Sequence, residues 1–383
     1  MSGVKIVPID VKNKKDLMTF IKLPWKIYKG DPNWVPPLIS ERKDFLTPGK
    51  NAELEFIDFQ LFLAMKGDEP VGRISAHINH RHNQFHNEKM GFFGFFESTN
   101  DPEVAAALFE AAENWVKERG MEALRGPACF SSNDDSYGLL VEGFDGPPVV
   151  LMSYNPRYYV DLIEKSGFEK AMDLYAYFLD VSDKIGRPEE ELIPEKILRV
   201  TELVRKRYRV TVRNPNMKKL NEEIHRFKKI YNQAWELNWG FVPVTDAEVD
   251  SLAEELVPIL DPDVVFFAEV DGEPVGAILP LPNYNEVLIH MNGRLFPFGW
   301  AKFLWYKRKI KILRVFAMGV IKEYRNRGLD ALMYYEMAKA ALRKGYTATE
   351  MGWILETNTV MNKTIENLGG KRYRTYRLYQ KPV

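Results

Sequence analysis

The sequence is poor in cysteine, in long hydrophobic runs and in net charge. Cys129 is the only cysteine among 383 residues, which excludes an intramolecular disulfide framework and leaves too few thiols for a cysteine-based metal site. We therefore expect a reducing, cytoplasmic location. No run of about 18 apolar residues occurs, and the N-terminal residues lack the apolar core of a signal peptide, so we expect no stable membrane insertion.

The net charge of the chain indicates no nucleic-acid or membrane partner for the protein as a whole. Lysine plus arginine equals aspartate plus glutamate, 53 each, so no global field attracts nucleic acid or an anionic membrane. Apolar residues make up 45% of the chain and charged residues 28%, the balance of a globular protein with a large core. At a prior of roughly 150 residues per domain, the length predicts two or three domains, and two is the simpler interpretation.

Four of the six histidines fall within ten residues, at His77, His80, His82 and His86. This spacing admits a metal site, but the residues between them include no acid and no cysteine. A solvated strand end or loop is the favoured interpretation, and no bound metal is expected.

One internal repeat is visible by eye. The segment FLAMKGDEPVGRISAHIN (62–79) matches FFAEVDGEPVGAILPLPN (266–283) at eight of eighteen positions, against about one expected by chance from average residue usage. Each segment predicts a β-hairpin, because two apolar strands flank a tight turn that contains glycine. A weaker match follows in the same order in both halves of the chain. IEKSGFEK (163–170) parallels IENLGGKR (365–372), and each predicts a helix, a glycine stop and a last strand.

The repeat sets the expected architecture. We predict an N-terminal domain at 1–180, a linker at 181–195 and a C-terminal domain at 196–383. Within each half the pattern predicts the order helix, hairpin, strand, long helix, strand, helix, strand. Strands interleaved with helices favour an α/β or α+β fold with a mixed sheet in each domain.

The most informative motif is a strand, a short basic loop and a helix between residues 314 and 344. A helix N-terminus presents unpaired N–H groups and a partial positive charge, and Gly328 lets the backbone approach a ligand without a Cβ. Arg325 and Arg327 add charged donors for a pyrophosphate. Taken alone, the loop also fits a basic turn before an ordinary helix.

This stretch resembles the coenzyme A loop of GCN5-related N-acetyltransferases (the GNAT superfamily), which reads Arg or Gln, x, x, Gly, x, Gly or Ala. Residues 325–330 (RNRGLD) match at all but the last position, and Asn358 begins a helix that stops at Gly369-Gly370, as in the family's next motif. The resemblance implies two tandem GNAT-like domains, each a mixed, mostly antiparallel sheet flanked by helices, with acyl-coenzyme A bound by the second. The cofactor-binding residues that it implies are Met318, Gly319, Val320, Arg325, Asn326, Arg327, Gly328, Leu329, Asp330 and Asn358.

Two residues depart from the family pattern. Asp330 stands where a small residue usually lets the amide approach the pyrophosphate, and its carboxylate would repel phosphate by about 1 kcal/mol or more. A first-turn aspartate turned to solvent is the alternative. Ile365 occupies the position of the tyrosine that many members use to protonate the departing thiolate, so the usual general acid is missing.

The resemblance implies direct attack of an amine on the thioester. Backbone N–H groups around Met318 to Val320 would polarise the carbonyl. For the catalytic base we expect Glu350 or Glu356, and either is also explicable as a surface carboxylate.

The first copy lacks the loop. Asp101-Pro102 stands at the corresponding place and predicts an ordinary helix start, so we expect no coenzyme A binding there. That copy carries instead a Gly/Pro-rich extension at 126–159. Its polar and aromatic residues are candidates for substrate contacts, although turn chemistry alone also explains them. The substrate-binding candidates are Asn133, Asp134, Tyr137 and Tyr154.

Residues 296–315 (FPFGWAKFLWYKRKIKILRV) combine aromatic and basic side chains. The composition fits a helix on a membrane surface or against an acidic partner. The favoured interpretation is an insertion whose aromatics pack on the core while its lysines are solvated.

These features predict an acyl-CoA-dependent N-acyltransferase, in the first instance an N-acetyltransferase. Acetyl-CoA or another acyl-CoA would be the co-substrate and a small-molecule or peptide amine the acceptor, with no nucleic-acid partner. A non-catalytic ligand-binding protein on a degenerate tandem GNAT scaffold is the alternative, favoured by Asp330 and Ile365. The pattern leaves the acceptor, the acyl chain length and the oligomeric state open.

Overall fold

A computed structural model describes residues 3–130, 137–187, 191, 193–236 and 238–383. The strands, in chain order, are β1 (Val4–Ile9), β2 (Ile57–Lys66), β3 (Glu69–Asn79), β4 (Met90–Ser98), β5 (Ala123–Gly126), β6 (Leu139–Glu142), β7 (Glu169–Asp180), β8 (Val210–Arg213), β9 (Phe266–Val270), β10 (Glu273–Pro282), β11 (Ile312–Val320), β12 (Ala348–Leu355) and β13 (Lys371–Pro382). The helices are α1 (Lys14–Ile27), α2 (Ile39–Phe45), α3 (His80–His86), α4 (Pro102–Lys117), α5 (Tyr158–Lys165), α6 (Glu195–Arg207), α7 (Leu220–Trp235), α8 (Asp246–Leu256), α9 (Asn285–Leu288), α10 (Gly299–Lys307), α11 (Leu329–Arg343) and α12 (Thr359–Asn367).

The chain forms two compact units that do not follow chain order. Unit 1 comprises Met1–Tyr175, Tyr284–Arg308 and Arg374–Val383, and unit 2 comprises Ala176–Asn283 and Lys309–Tyr373. The domain boundaries predicted at residues 180 and 196 were placed from the repeated sequence segments, and they stay a prediction.

Unit 1 is built on a mixed sheet in the order β1-β2-β3-β4-β5-β13, with β6 beside β13. Neighbouring strands are antiparallel except β4 and β5, which are parallel. Alternate residues of β2 serve two cores, because successive side chains of a strand point to opposite faces. Phe62 and Ala64 pack with α4 and α5, whereas Leu61 and Leu63 pack with α1. At about 1.5–3 kcal/mol for each large buried side chain, these two layers hold the helices on the sheet.

Unit 2 repeats this arrangement with the order β8-β9-β10-β11-β12, followed by the last part of β7. Of the described pairs β8–β9, β9–β10, β10–β11 and β11–β12, the first three are antiparallel and the last is parallel. Helix α7 packs Ile230 and Ala234 on Phe267 and Ala277 of the sheet. The two units therefore share strand order and pairing sense.

The repeated sequence occupies equivalent places in the two sheets. Phe62 lies opposite Ile74 and Ala64 opposite Gly72, and Phe266 lies opposite Ile278 and Ala268 opposite Gly276. The closing strands β7 and β13 have the same sequence of exposed and buried positions over all 12 residues. Both predicted hairpins and both closing helix–strand pairs are confirmed, and with them the mixed, mostly antiparallel fold.

Two local expectations differ from the structure. The histidine-rich segment is neither loop nor solvated throughout, since His77 lies buried in β3 and His80–His86 forms a helix in which His82 is buried. The extension at 126–159 contains strand β6, which pairs with β13 at Leu139, Leu140 and Glu142. It is further fixed by the buried Arg374, whose guanidinium donates to the carbonyl oxygens of Gly143, Asp145, Gly146 and Pro147 at 2.7–3.2 Å.

Among the described residues, no helix is long and apolar enough to cross a membrane. Within the same ranges, no group of three or more histidine, cysteine, aspartate or glutamate residues is placed to hold a metal ion.

Candidate functional site

The parallel strands of unit 2 separate at the place where the sequence predicts the thioester site. Residues 312–315 of β11 pair with residues 348–351 of β12, while β11 continues its pairing with β10 as far as Val320. Within the described register, Met318 to Val320 therefore have a strand partner on one side only. On that other side Val320 O accepts from Arg325 Nε at 3.1 Å, and a ligand can pair with the backbone N–H groups that face away from β10.

A β-bulge marks the point of separation. Leu279 and Pro280 of β10 lie opposite Ala317 and Val315, so Phe316 is the extra residue on β11. Bulges re-aim a strand and are common beside active sites. Unit 1 has a bulge at the equivalent place, where Phe95 has a φ of 50°.

The predicted phosphate loop joins β11 to α11 through a sharply turned backbone. Asn326 and Gly328 both have positive φ, 59° and 78°. The Arg325 guanidinium donates through Nε to Val320 O at 3.1 Å and through Nη2 to Ala234 O at 2.6 Å. Arg325 thus ties the loop to the end of β11 and to α7, a role that the sequence did not indicate.

Gly328 is required for packing as well as for its backbone angle. A Cβ added at this position would come within 2.8 Å of Val200 and Val204 on α6. Helix α6 packs against α11 through Ile197 and Ala331. The space left by the missing side chain therefore faces a helix of the same unit.

Cationic side chains gather beside the loop. The guanidinium groups of Arg207 and Arg327 each lie 5.6 Å from the ring centre of Tyr208, and Arg327 lies 4.7 Å from that of Tyr324. Arg327 also donates to Glu323 O at 2.9 Å. Two exposed arginines at a helix N-terminus suit a phosphate-bearing ligand. Arg207 and Tyr208 were not singled out from the sequence, because they precede the loop by more than a hundred residues.

Asp330 lies half-buried in the first turn of α11. Burial of Tyr334 raises the pKa of its hydroxyl, and the nearby negative charge of Asp330 raises that pKa further. Tyr334 is buried and its hydroxyl lies 3.7 Å from the Sδ of Met361. The carboxylate is therefore part of the helix start rather than wholly turned to solvent.

Asn358 acts as the N-cap of α12, since its Oδ1 accepts from Met361 N at 3.2 Å. Ile365 is buried and packs close to Gly370, so the position of the family's tyrosine is filled by core. A different hydroxyl reaches this helix: Tyr177 donates to Asn362 Oδ1 at 3.1 Å, and both side chains are buried. The signal for this contact was absent from the sequence, because Tyr177 lies outside the motif.

The two candidate bases lie in different surroundings. Glu350 is fully buried, and its Oε2 lies 3.7 Å from Arg314 Nε on the neighbouring strand. Arg314 and Glu350 stand opposite each other in the parallel register. Glu356 follows the end of β12 and is half-buried. Of the two, Glu356 is the carboxylate that a substrate can approach.

The side chain of Trp235 packs directly against Gly319 of β11. A Cβ at this position would come within 2.4 Å of the Trp235 ring, and Trp235 stacks on Tyr231 at 4.7 Å. The helix before the hairpin was predicted from the order of elements in each half, but the strand residue that its last aromatic covers was not. Leu329 is buried at the start of α11.

The substrate candidates belong to unit 1. Asn133 and Asp134 lie outside the described residues. Tyr137 is buried, whereas Tyr154 is partly exposed and donates to Asp31 Oδ2 at 2.8 Å. Burial and then the hydrogen bond to Asp31 raise the pKa of Tyr154 to about 12.

Comparison with known proteins gives relatives along almost the whole chain. "Protein YghO" of Escherichia coli K12 is 39% identical over 377 residues, 97% of this chain and 94% of the relative. "Bacterial ceramide synthase" of Caulobacter vibrioides is 39% identical over 382 residues, 98% of this chain and 97% of the relative. A solved tandem GNAT protein from the clavulanic acid biosynthesis pathway superposes with a TM-score of 0.58 at 11% identity, covering 99% of this chain and 98% of its own. No family model matches.

Proposed function

Because this chain belongs to the same family as these two relatives and has the tandem GNAT fold, we propose that it transfers a fatty acyl group from acyl-coenzyme A to the amine of a long-chain amino alcohol. The fold is one that generally binds acyl-coenzyme A and performs acyl transfer. The proposal adds the class of acceptor and the length of the acyl chain.

The observation that carries the proposal is the 39% identity, over 98% of the chain, to a protein named bacterial ceramide synthase. A ceramide is by definition the amide of a fatty acid and a long-chain amino alcohol. This chemistry is N-acylation, as the loop motif predicts, but with a fatty acyl group in place of acetyl. Fold alone does not fix substrate, so the acceptor needs its own test.

The donor site that we propose lies in unit 2 and uses the features that fit acyl-coenzyme A. The N-terminus of α11 and the side chains of Arg207 and Arg327 would hold the phosphates. The backbone of Met318 to Val320, paired on one side only, would hold the acyl end. The thioester supplies an activated carbonyl.

In the reaction that we propose, the C–N bond forms as the C–S bond breaks, while one proton leaves the amine and one reaches the sulfur. The backbone N–H groups of Met318 to Val320 stabilise charge on the carbonyl oxygen. Glu356 accepts the proton of the amine, directly or through a water molecule. Glu350 is assigned a positioning role, because its buried carboxylate lies beside Arg314.

The direct experiment incubates the purified chain with palmitoyl-CoA and sphinganine and follows free thiol with an aromatic disulfide reagent. The single cysteine, Cys129, is buried, so its own reaction with the reagent is slow. We expect thiol release that depends on the amine, with the amide identified by mass spectrometry. Release that does not depend on any long-chain or short-chain amine would refute the proposal.

Two variants assign the residues. Glu356→Gln should lower kcat by about 100-fold or more, since general-base catalysis contributes about 10²–10⁴-fold, while Glu254→Gln on the exposed face of α8 should not. Arg327→Gln should raise the KM for acyl-coenzyme A by about threefold to tenfold, as for loss of an exposed charge-assisted contact. Arg343→Gln, at the other end of the same helix, is the matched control.

The alternative, a non-catalytic binding protein, is favoured by the core residue Ile365 in place of the tyrosine and by Asp330 in the loop. Calorimetry with palmitoyl-CoA separates the two. Binding without amine-dependent thiol release would support the alternative, and absence of binding would oppose both.

A further inference from the structure

The segment Arg294–Arg308 of unit 1 exposes more large apolar side chains than a globular surface usually does. Its five most exposed ones are Phe296 at 75%, Phe298 at 76%, Trp300 at 51%, Leu304 at 57% and Trp305 at 65%. Aromatics of this size are normally mostly buried. The expectation that they pack on the core is therefore wrong for these residues, and a contiguous apolar patch of this kind marks an interaction surface.

Helix α10 has a distinct inner and outer face. Gly299, Phe303 and Tyr306 recur at helical spacing and point inward, where Phe303 stacks on Tyr284 at 5.6 Å and Tyr306 on His290 at 4.0 Å. The outer face presents Trp300, Leu304 and Trp305. A surface helix ordinarily has polar residues on its solvent-facing side. The solvent-facing side of α10 instead has the large apolar residues that are typical of a buried helix face.

The segment preceding α10 is firmly attached at its base. Trp25 Nε1 donates to Asn292 Oδ1 at 2.9 Å, and Ile39 N donates to Gly293 O at 3.1 Å. A Cβ at Gly293 would come within 2.5 Å of the Trp25 ring. The exposed aromatics are thus held by a fixed support within unit 1.

The charge of the segment has one sign. Between residues 287 and 308 the sequence has no aspartate and no glutamate but four cations, Arg294, Lys302, Lys307 and Arg308, although the chain as a whole has 53 basic and 53 acidic residues. The Lys302 Nζ donates to His290 O at 3.0 Å, and the Lys307 Nζ lies 5.8 Å from the Tyr284 ring. The cations thus belong to the same short segment as the exposed apolar side chains.

From this arrangement we propose that Arg294–Arg308 is a membrane-docking segment that lies in the interface of an anionic bilayer. Tryptophan and phenylalanine suit the depth of the headgroups, and the cations meet anionic lipid around them. A second copy of the chain fits less well, because two such surfaces would bring like charges together. The proposal rests on exposure and charge within unit 1 and holds whichever amine is acylated.

The test is flotation of the full chain with vesicles of phosphatidylglycerol and phosphatidylethanolamine, against vesicles of phosphatidylcholine alone. We expect binding to the anionic vesicles that weakens as salt is raised. The triple variant Phe296→Ser, Phe298→Ser, Trp305→Ser should bind at least about tenfold more weakly, since three large apolar side chains no longer enter the interface. The variant Lys302→Gln, Lys307→Gln should lose about fivefold for each charge removed.

The matched control is Phe85→Ser, Leu203→Ser, which removes exposed apolar side chains elsewhere and should bind like the wild type. Equal thermal stability of all variants excludes unfolding as the cause. No binding to anionic vesicles at low salt, or equal binding by the triple variant, would overturn the proposal. So would a dimer in sedimentation that the triple variant converts to a monomer without any vesicle binding.

The result of the vesicle-binding test can be distinguished from the result of the acylation assay. Vesicle binding by a chain that acylates no amine would leave the docking segment standing and remove the proposed function. Conversely, a triple variant that still acylates a water-soluble short-chain amine within about twofold of the wild-type rate shows that the segment serves docking and not chemistry.

Discussion

Replacing Glu350 by leucine removes one partner of a buried ion pair in the sheet of unit 2. Glu350 is 0% exposed and Arg314 is 3% exposed, and the carboxylate oxygen lies 3.7 Å from Nε. Removing one partner leaves the guanidinium in a site that water does not reach, which costs about 3–5 kcal/mol. For a domain of this size, a cost of that order lowers Tm by about 6–20 °C.

The reciprocal change restores what the first removes. Arg314→Met with Glu350→Leu replaces both charges by apolar side chains of similar length, and such replacements are often close to neutral. We expect the double variant within about 2 kcal/mol of the wild type and a coupling energy of at least about 2 kcal/mol in the double-mutant cycle. Urea unfolding followed by tryptophan fluorescence measures each corner.

The same cycle decides the role of Glu350 in the reaction. If the carboxylate only positions β11 against β12, the double variant keeps acylation within about tenfold of the wild type. A folded, stable double variant without activity would show that Glu350 is the base. A single Glu350→Leu variant as stable as the wild type would refute the energetic reasoning outright.

Three further predictions follow from other residues. Burial lowers the pKa of His77 to about 3, below the unfolded value of about 6.5. Between these pH values the unfolded state binds more protons than the folded state. The free energy of unfolding therefore falls as pH drops from about 6.5 toward 3, by about 1.4 kcal/mol per pH unit. His77→Phe should remove this contribution from urea midpoints measured between pH 6 and 4 and leave that of His82, whose pKa burial lowers to about 4. His80→Gln, at an exposed site, should retain both contributions. Gly328→Ala should destabilise by about 1–2 kcal/mol through its φ of 78° alone. A further loss should come from contact with Val200 and Val204, and the double change Val200→Ala, Val204→Ala relieves it. A decrease in Tm on Gly328→Ala that is as large in this double variant as in the wild type would contradict the contact. Asp330→Ala should lower the KM for acyl-coenzyme A by about fivefold, as for removal of about 1 kcal/mol of repulsion, and an unchanged KM would place the phosphates away from α11.

The repeated features of the fold were predictable because they depend on local pattern. Two hairpins with the same residues at the same spacing gave the same register, with Phe62 opposite Ile74 and Phe266 opposite Ile278. Asp101-Pro102 predicted the start of α4, and Asp101 does accept from Glu103 N at 3.0 Å. Caps, turns and alternation are decided by near neighbours in sequence.

The features that escaped prediction depend on partners far along the chain. No local pattern in the sequence shows that Val200 and Val204 of α6 fill the space at Gly328. Alternating aromatic and basic residues at 296–308 fit a packed insertion and an exposed one equally well. Glu350 has the same sequence signal whether it faces solvent or Arg314, because a strand pattern does not name the residue across from it.

The place of Arg374–Val383 in unit 1 has a consequence for biosynthesis. A ribosome synthesises the residues up to Tyr175 long before Arg374–Val383, yet β5 pairs along one edge with Tyr379 to Pro382, and the carbonyl oxygen of Gly146 accepts from Arg374. Until then the nascent chain carries an open sheet edge, which invites chaperones and wrong pairings. Unit 1 can therefore complete its sheet only after the segment 374–382 has been synthesised, and a chain that stops before this segment keeps the edge of β5 unpaired.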